Sequence, residues 1–498
     1  MKFSEIVPKG TLPEQVCRFV ADRSVEAYLV GGYVRDRLLG RVSQDLDFAV
    51  KGDSVALARQ VARRFRGAFV LLDRRRGIAR VVLKDEGGQK VDVDFIQLQG
   101  EDISEDLAKR DFTINAIAYN LKEGDEAEPI DLHEGREDLQ ARLVRAVYDD
   151  AFRDDPLRTM RAVRHAVELG MRVEARTEEL IRKNAFLLPA VSAERIRYEL
   201  SKILAQPGAS EHLRYLDDLN ILTILFPELN PTKGFAQPFP HYLDVFAHSL
   251  ETVRKLENIC AAFGLSPACQ KTEELPDLEI LRPWASHLAA HLAQPTTDER
   301  VRLTTLKLIA LLHDIGKPPT AQECRDDGCP FYGHEGLGAE MASLAMRNLR
   351  FGVLEEKIAR IVIANHTYPQ EMAERGLPSG RDIYRFFRQT GEAGIDTLLL
   401  HLADHLAAWQ KLQPERWRLR LEMAAALISA WYEGREAVSP PKLIDGDELM
   451  EIFGLEAGPA LGEILEAVRE AQAGGEVKTK EEALELAQTL LDEKLKVG

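Results

Sequence analysis

The sequence predicts an α+β protein: a small mixed β-sheet with helices at the N-terminal end, followed by an almost wholly helical remainder. Three observations carry that prediction. Short apolar runs at 28–30, 68–72, 78–83 and 90–96 alternate in strand fashion or end at glycine turns. From about residue 147 the apolar spacing becomes helical and stays so to the C-terminus. At 498 residues and 45% apolar content the chain is folded but too long for one ordinary core, so about three or four domains are expected. The pattern divides it into a sheet region at 1–146, a first helical region at 147–225, a histidine-rich helical region at 226–420 and a helical tail at 421–498.

Composition narrows the class. No apolar run approaches the ~20 residues of a membrane helix, and the N-terminus has no signal-peptide core, which points to a cytoplasmic protein. A net charge of −16 argues against indiscriminate coating of nucleic acid, since such affinity scales with phosphates neutralised. It leaves room for a local basic groove, which clustered arginines would have to supply. The cysteines at 17, 260, 269, 324 and 329 are odd in number and scattered, as expected of free thiols; Cys324 and Cys329 lack the partners of a zinc site.

Residues 13–23 form a short helix with Val16, Phe19 and Val20 on one face. Tyr28-Leu29-Val30 reads as a buried strand, Gly31-Gly32 as a tight turn and Val34 to Leu39 as a helix. Asp45-Leu46-Asp47 then follows in strand alternation, so both carboxylates face one side and can share divalent cations. Glycines at a helix entry let backbone N–H groups approach a phosphate, and the helix dipole favours its charge. These features together describe a nucleoside triphosphate held over a metal pair.

The helix at 54–67 ends in Arg63-Arg64-Phe65-Arg66, and Arg74-Arg75-Arg76 separates the next two strands. The strand Val91-Asp92-Val93-Asp94-Phe95-Ile96 offers Asp92 and Asp94 on one face. Metal-assisted transfer needs carboxylates for two cations and a base for the attacking hydroxyl, so either could be a third carboxylate. Further on, Pro156 suits the first position of a helix and Asp155 its N-cap. Arg158, Arg161 and Arg164 place positive charge along one face of that helix, starting where the macrodipole disfavours it. Acceptor groups should sit there.

The string from Gly31 to Asp47 resembles the active-site signature of class II nucleotidyltransferases, the family of tRNA CCA-adding enzymes and bacterial poly(A) polymerases. The resemblance implies that Asp45 and Asp47 are catalytic and bind Mg²⁺, and that Gly31, Gly32 and Arg35 hold the triphosphate. Asp94 aligns with the family's Asp-Phe-x-x-Leu pattern and is preferred to Asp92 as third carboxylate. The stretch Arg110-Asp111-Phe112-Thr113-Ile114-Asn115-Ala116 is similar to the second family motif, which implies that Arg110, Asp111 and Asn115 contact the nucleotide's sugar and phosphates. Asp154 to Arg158 resembles the templating motif, (Glu/Asp)-Asp-x-x-Arg, which makes Asp155 and Arg158 a protein template. Base chemistry agrees with that role. Cytosine and adenine both present an amino donor beside a ring-nitrogen acceptor, which an aspartate and an arginine match; uracil and guanine reverse the order. Arg161 and Arg195 are expected at the nucleotide's phosphate or ring.

Nine of the twelve histidines fall between 238 and 410. His248, His313-Asp314, His334, His366 and Asp404 occur in that order, each in a helical context. The arrangement resembles the HD phosphohydrolase superfamily, fused behind the nucleotidyltransferase in one branch of bacterial CCA-adding enzymes. It implies that His248, His313, Asp314 and Asp404 bind one divalent ion, Ni²⁺, Mn²⁺ or Mg²⁺, and that His334 and His366 allow a second for phosphoester hydrolysis. In the tail, Thr479 and Glu482 have capping-box spacing.

The expected activity is template-independent addition of CMP and AMP, from CTP and ATP, to the 3′ end of tRNA, with no membrane or protein partner evident. CC-only or A-only addition, or poly(A) synthesis, are alternatives within the class. Poly(A) polymerases usually carry a Gly-Arg-Arg-Phe element soon after the paired aspartates and a basic tail; here Ala62-Arg63-Arg64-Phe65 comes later and the tail is acidic. The alternative from another class is an HD-type phosphohydrolase with a nucleotide-sensing head.

Overall fold

The computed structural model describes residues 1–43, 45–264, 275–321 and 331–497. The chain separates into two units, one of residues 1–203 with 218–224 and one of 204–217 with 225–498. The sheet lies wholly in the first. Its strands are β1 (Glu26–Val30), β2 (Leu46–Lys51), β3 (Ala68–Asp73), β4 (Ile78–Lys84), β5 (Lys90–Gln97), β6 (Ile117–Asn120) and β7 (Ile130–Asp131), in the spatial order β3-β4-β5-β2-β1-β6-β7. It is mixed as predicted: β2 and β5 run parallel, and β1–β2 and β4–β5 antiparallel.

Alternation along β4 and β5 sorts the two faces. Ala79, Val81, Leu83, Val91, Val93 and Phe95 are buried, while Arg80, Val82, Asp92 and Asp94 point to the half-open side. Helices α1 (Leu12–Ala21), α2 (Gly31–Leu38) and α3 (Ser54–Phe65) flank the sheet, with α3 against β4 and β5. The edge strand β3 leaves Val70 42% and Leu72 52% exposed, while Phe69 is half-buried beneath Arg59 of α3.

Two local expectations change. Helix α2 begins at Gly31 itself, so the paired glycines are its first turn and not a turn before it. Gly31 has φ +73°, and a Cβ there would lie 2.8 Å from Asp47 Oδ2, so both backbone and space demand glycine. The arginine helix, α4 (Arg158–Leu169), starts two residues later than Pro156 implied. Asp155 is extended, and its Oδ1 accepts the Leu157 N–H at 3.2 Å, which still satisfies a donor at the helix entrance. Helix α5 (Ala193–Ala205) follows in the same unit.

Among the described residues the second unit is helical apart from one short hairpin. The elements that carry or immediately precede the six predicted histidine and aspartate positions are α6 (Val245–Ala262), α7 (Arg302–Leu312), α8 (His334–Asn348), α9 (Val353–Asn365) and α10 (Gly394–Ala408). In the tail, α11 (Pro459–Ala473) and α12 (Lys480–Val497) contribute to a small core around Leu449, Ile464 and Val468. Glu482 and Thr479 form the reciprocal cap the spacing predicted, with Glu482 N–H donating to Thr479 Oγ1 at 3.2 Å and Thr479 N–H to Glu482 Oε2 at 3.1 Å. Cys17 and Cys260 are buried free thiols; Cys269, Cys324 and Cys329 lie outside the described residues. Among the described residues no helix is long and apolar enough to cross a membrane.

Candidate functional site

Strand pairing brings the first-unit carboxylates together. Asp47 on β2 stands directly opposite Asp94 on β5. Its Oδ2 accepts the Gly32 N–H at 3.2 Å, at the entrance to α2. Asp45 immediately precedes β2; its Oδ1 accepts the Asp92 N–H at 3.2 Å. Register therefore sets Asp94 beside Asp47, and Asp92 beside Asp45. Burial and the charge of Asp94 push the Asp47 carboxyl up to about 6, against the pull of Arg110 and the Gly32 N–H. Such a group is short of positive charge, and an all-oxygen donor set suits a hard divalent cation.

A resident cation already engages part of the set. Arg80 on β4 forks onto Asp94 at 2.7 and 2.8 Å and reaches Asp92 at 3.0 Å. The sequence reading passed over this residue, although its place in the alternation of β4 puts it on the carboxylate face.

The glycine helix, the second motif and α4 meet in one hydrogen-bonded network. Arg35 donates to Asn115 Oδ1 at 2.9 Å, and Asn115 Nδ2 donates to Asp111 Oδ1 at 3.1 Å. Asp111 Oδ2 accepts from Arg161 at 2.9 and 2.6 Å. Burial alone would raise the Asp111 carboxyl, but the Arg161 guanidinium and the Asn115 amide hold it well below the usual carboxylate range. His165, also missed, lies one turn beyond Arg161, with Nε2 3.4 Å from Asn115 Nδ2. Burial and nearby arginines keep it neutral. Arg110 forks onto Asp106 at 3.1 and 3.0 Å and touches the network only through the Asn115 backbone carbonyl, at 3.4 Å.

The acceptors expected along the arginine face are the chain's own. Arg158 donates to Tyr148 Oη at 2.9 Å and Lys109 O at 3.0 Å, and Arg164 to Glu199 at 2.5 Å and Glu168 at 2.7 Å. Asp155 Oδ2 accepts from Arg195 at 2.8 Å. Asp155 and Arg158 are thus neighbours in sequence, each engaged by a different partner.

The second unit gathers all six predicted histidine and aspartate positions. His248 Nε2 lies 2.8 Å from Asp404 Oδ1 and 3.5 Å from Asp314 Oδ2, and His313 Nε2 lies 3.2 Å from Asp314 Oδ2. On the other side of Asp314, Oδ1 is 3.7 Å from His334 Nε2 and 3.6 Å from His366 Nε2. His313, His334 and His366 each turn Nδ1 to a backbone carbonyl three residues back, at 2.8, 2.8 and 2.7 Å. That arrangement aims every Nε2 inward, as metal-ligating histidines require. Asp314 Oδ1, His313 Nε2 and His334 Nε2 are buried without hydrogen-bond partners. Two triads, His248-His313-Asp314 and Asp314-His334-His366, each have ligand atoms within 4.8 Å of one another, so the residues fit one or two divalent ions bridged by Asp314. Lys317 Nζ, 2.6 Å from Asp314 Oδ2, and the half-buried His241, its ring 4.7 Å from His248, complete the surroundings.

Sheet, carboxylate edge and arginine helix together define a nucleotidyltransferase. Residues 27–145 match the family model "Poly A polymerase head domain", residues 170–233 match "Probable RNA and SrmB- binding site of polymerase A", and residues 245–409 match "HD domain". The A-adding tRNA nucleotidyltransferase of Deinococcus radiodurans is 34% identical over 474 residues, 94% of this chain and 96% of that protein. The CC-adding tRNA nucleotidyltransferase of Geobacter sulfurreducens is 32% identical, covering 95% and 94%. A solved CCA-adding enzyme in complex with CTP superposes with a TM-score of 0.63 at 22% identity over 99% of each chain, a likeness of fold. The chain belongs to the tRNA nucleotidyltransferase family, the CCA-adding enzymes and their relatives.

Proposed function

We propose that this chain adds CMP and AMP, from CTP and ATP, to the 3′ end of tRNA without a nucleic-acid template, in the cytoplasm. The observation that carries this reading is the hydrogen-bonded path Arg35-Asn115-Asp111-Arg161, which starts on the helix whose first turn donates to Asp47. In this reading residues 1–146 perform the transfer, 147–225 select the nucleotide, 226–420 hydrolyse phosphoesters and 421–498 form the tail.

Gly31, Gly32 and Arg35 hold the triphosphate, and Arg110, Asp111 and Asn115 its sugar and phosphates. Mg²⁺ held by Asp45 and Asp47, with Asp94 beside them, would neutralise the triphosphate and polarise the reacting phosphorus. The tRNA 3′-hydroxyl attacks the α-phosphate, Asp94 accepts its proton, and pyrophosphate leaves. Asp155 exchanges Arg195, and Arg158 exchanges Tyr148, for the Watson–Crick edge of cytosine or adenine, while Arg161 supports the nucleotide from the next turn of α4. In the second unit, His248, His313, Asp314 and Asp404 hold one divalent ion, with His334 and His366 for another, Ni²⁺, Mn²⁺ or Mg²⁺.

The names of two near-full-length relatives, one A-adding and one CC-adding, favour a second reading in which only part of the CCA end is built. One experiment tests both. Purified protein is given tRNAs ending at the discriminator base, at C and at CC, with each NTP separately. Growth through all three positions supports complete addition, and growth confined to CC or to the final A supports the partial readings. UMP or GMP incorporation at rates similar to CMP and AMP sinks the protein-template argument.

A further inference from the structure

The first unit carries a basic surface that neither the transfer site nor the nucleotide network uses. Between residues 59 and 76 stand seven arginines, Arg59, Arg63, Arg64, Arg66, Arg74, Arg75 and Arg76, against one acid, Asp73, in a chain of net charge −16. All seven are exposed. Among the described residues none of them has an ion-pair partner: Arg59 and Arg64 lie over the rings of Phe69 and Phe65, and Asp73 spends its Oδ1 on the backbone N–H groups of Arg75 and Arg76. Exposed arginines elsewhere do find acids, as in Arg153–Asp150, Arg176–Asp149 and Arg360–Glu340. What sets this segment apart is density: seven exposed arginines fall within 18 residues beside a single acid.

Its placement says what the charge is for. The arginines bracket the two ends of β3, which is the edge of the sheet. Six strand residues separate the two groups by roughly 20 Å, too far for one phosphate to reach both. A stacked nucleic-acid strand offers a phosphate every ~3.4 Å and can touch both ends at once. Register ties this edge to the transfer site: Asp47 opposes Asp94, Asp94 opposes Arg80, and Arg80 opposes Val70. Directly opposed residues share a face, so Val70 lies on the carboxylate side of the sheet, three strand spacings or roughly 14 Å from Asp47. That distance corresponds to about four stacked nucleotides.

Resting on the proposed tRNA substrate, we propose that β3 and its flanking arginines form an RNA-backbone surface that receives the strand just upstream of the 3′ end. It is separate from residues 170–233, where the family model places RNA binding.

The test uses the full chain with a tRNA transcript lacking CCA, and follows binding by fluorescence anisotropy across a salt series. Two variants remove charge at either end of β3, Arg63→Gln/Arg64→Gln/Arg66→Gln and Arg74→Gln/Arg75→Gln/Arg76→Gln, and a third replaces all six by lysine. Each glutamine variant should bind about tenfold more weakly near 0.15 M salt, with the log–log salt slope reduced by about 2. KM for tRNA should rise while KM for CTP does not, and the lysine variant should retain binding, which separates charge from folding. Unchanged affinity and slope in both glutamine variants overturn the proposal. So does unchanged tRNA binding accompanied by loss of self-association, which would make the patch a contact with acidic protein. Failure of the tRNA reading itself is distinct, because wild-type protein would then neither bind nor extend the transcript.

Discussion

Arg80 stands where a divalent cation is wanted. It neutralises Asp94 and Asp92 in a fork whose geometry suits a guanidinium, and it is the only basic side chain across from Asp94 in the β4–β5 ladder. A metal ion recruiting Asp94 must compete with it, so Arg80 should weaken ion binding while stabilising the ion-free sheet. In a background carrying Asp314→Ala, which removes the ligand common to both histidine triads of the second unit, Arg80→Gln should tighten Mn²⁺ binding on the order of tenfold, read by electron paramagnetic resonance titration. Equal or weaker binding would show that Arg80 does not compete. Asp111 makes a second prediction at this scale, through pH. Its folded-state pKa is depressed, so the pair with Arg161 adds its full stability above the ordinary value of 3.8 and loses it as pH falls below that. The stability difference between wild type and Asp111→Asn should therefore be flat above about pH 5 and shrink below pH 4 in urea titrations. A difference that grew on acidification would contradict the assignment.

At the scale of elements, the start of α2 joins structure to chemistry most tightly. Gly31 lets the chain turn at positive φ straight from β1 into the helix, and the missing Cβ leaves room for Asp47 Oδ2. Gly31→Ala should cost about 1–3 kcal/mol of stability and displace Asp47, lowering nucleotide addition at least a hundredfold, by single-turnover assay with CTP. Near-wild-type turnover would mean that the close approach is dispensable. This element also shows how far sequence could be read. Strand alternation and glycine punctuation made β4, β5 and the Asp45-Asp47 neighbourhood legible, because those signals are local. The helical start at Gly31 was not, since Gly-Gly is equally compatible with a turn; tertiary contact with Asp47 decides it. Arg80 and His165 were invisible for a related reason: each acquires meaning only from a cross-strand or interhelical partner, Asp94 or Asn115, that no spacing rule announces. The six HD positions were visible as a pattern, yet their bridging about Asp314 required helices distant in sequence to converge.

For the whole molecule, the two candidate chemistries are independent in composition. The carboxylate edge and its network come from residues 31–165, all in one unit, and the histidine cluster from residues 248–404, all in the other. No side chain belongs to both sites. If each works with its own residues, substitutions should sort cleanly. Asp45→Ala should abolish nucleotide addition by at least about a thousandfold and leave hydrolysis of 2′,3′-cyclic phosphate substrates unaltered. His313→Ala should do the reverse, removing hydrolysis with added Ni²⁺, Mn²⁺ or Mg²⁺ and keeping CMP and AMP addition. The rival in which the first unit merely senses nucleotides for a hydrolase makes the opposite forecast for Asp45→Ala, namely that the principal activity survives. Measuring both activities on both variants, with thermal unfolding to confirm that each remains folded, decides between them: loss of addition in His313→Ala would show that the units do not act separately, and persistence of addition in Asp45→Ala would remove the carboxylate edge from the reaction.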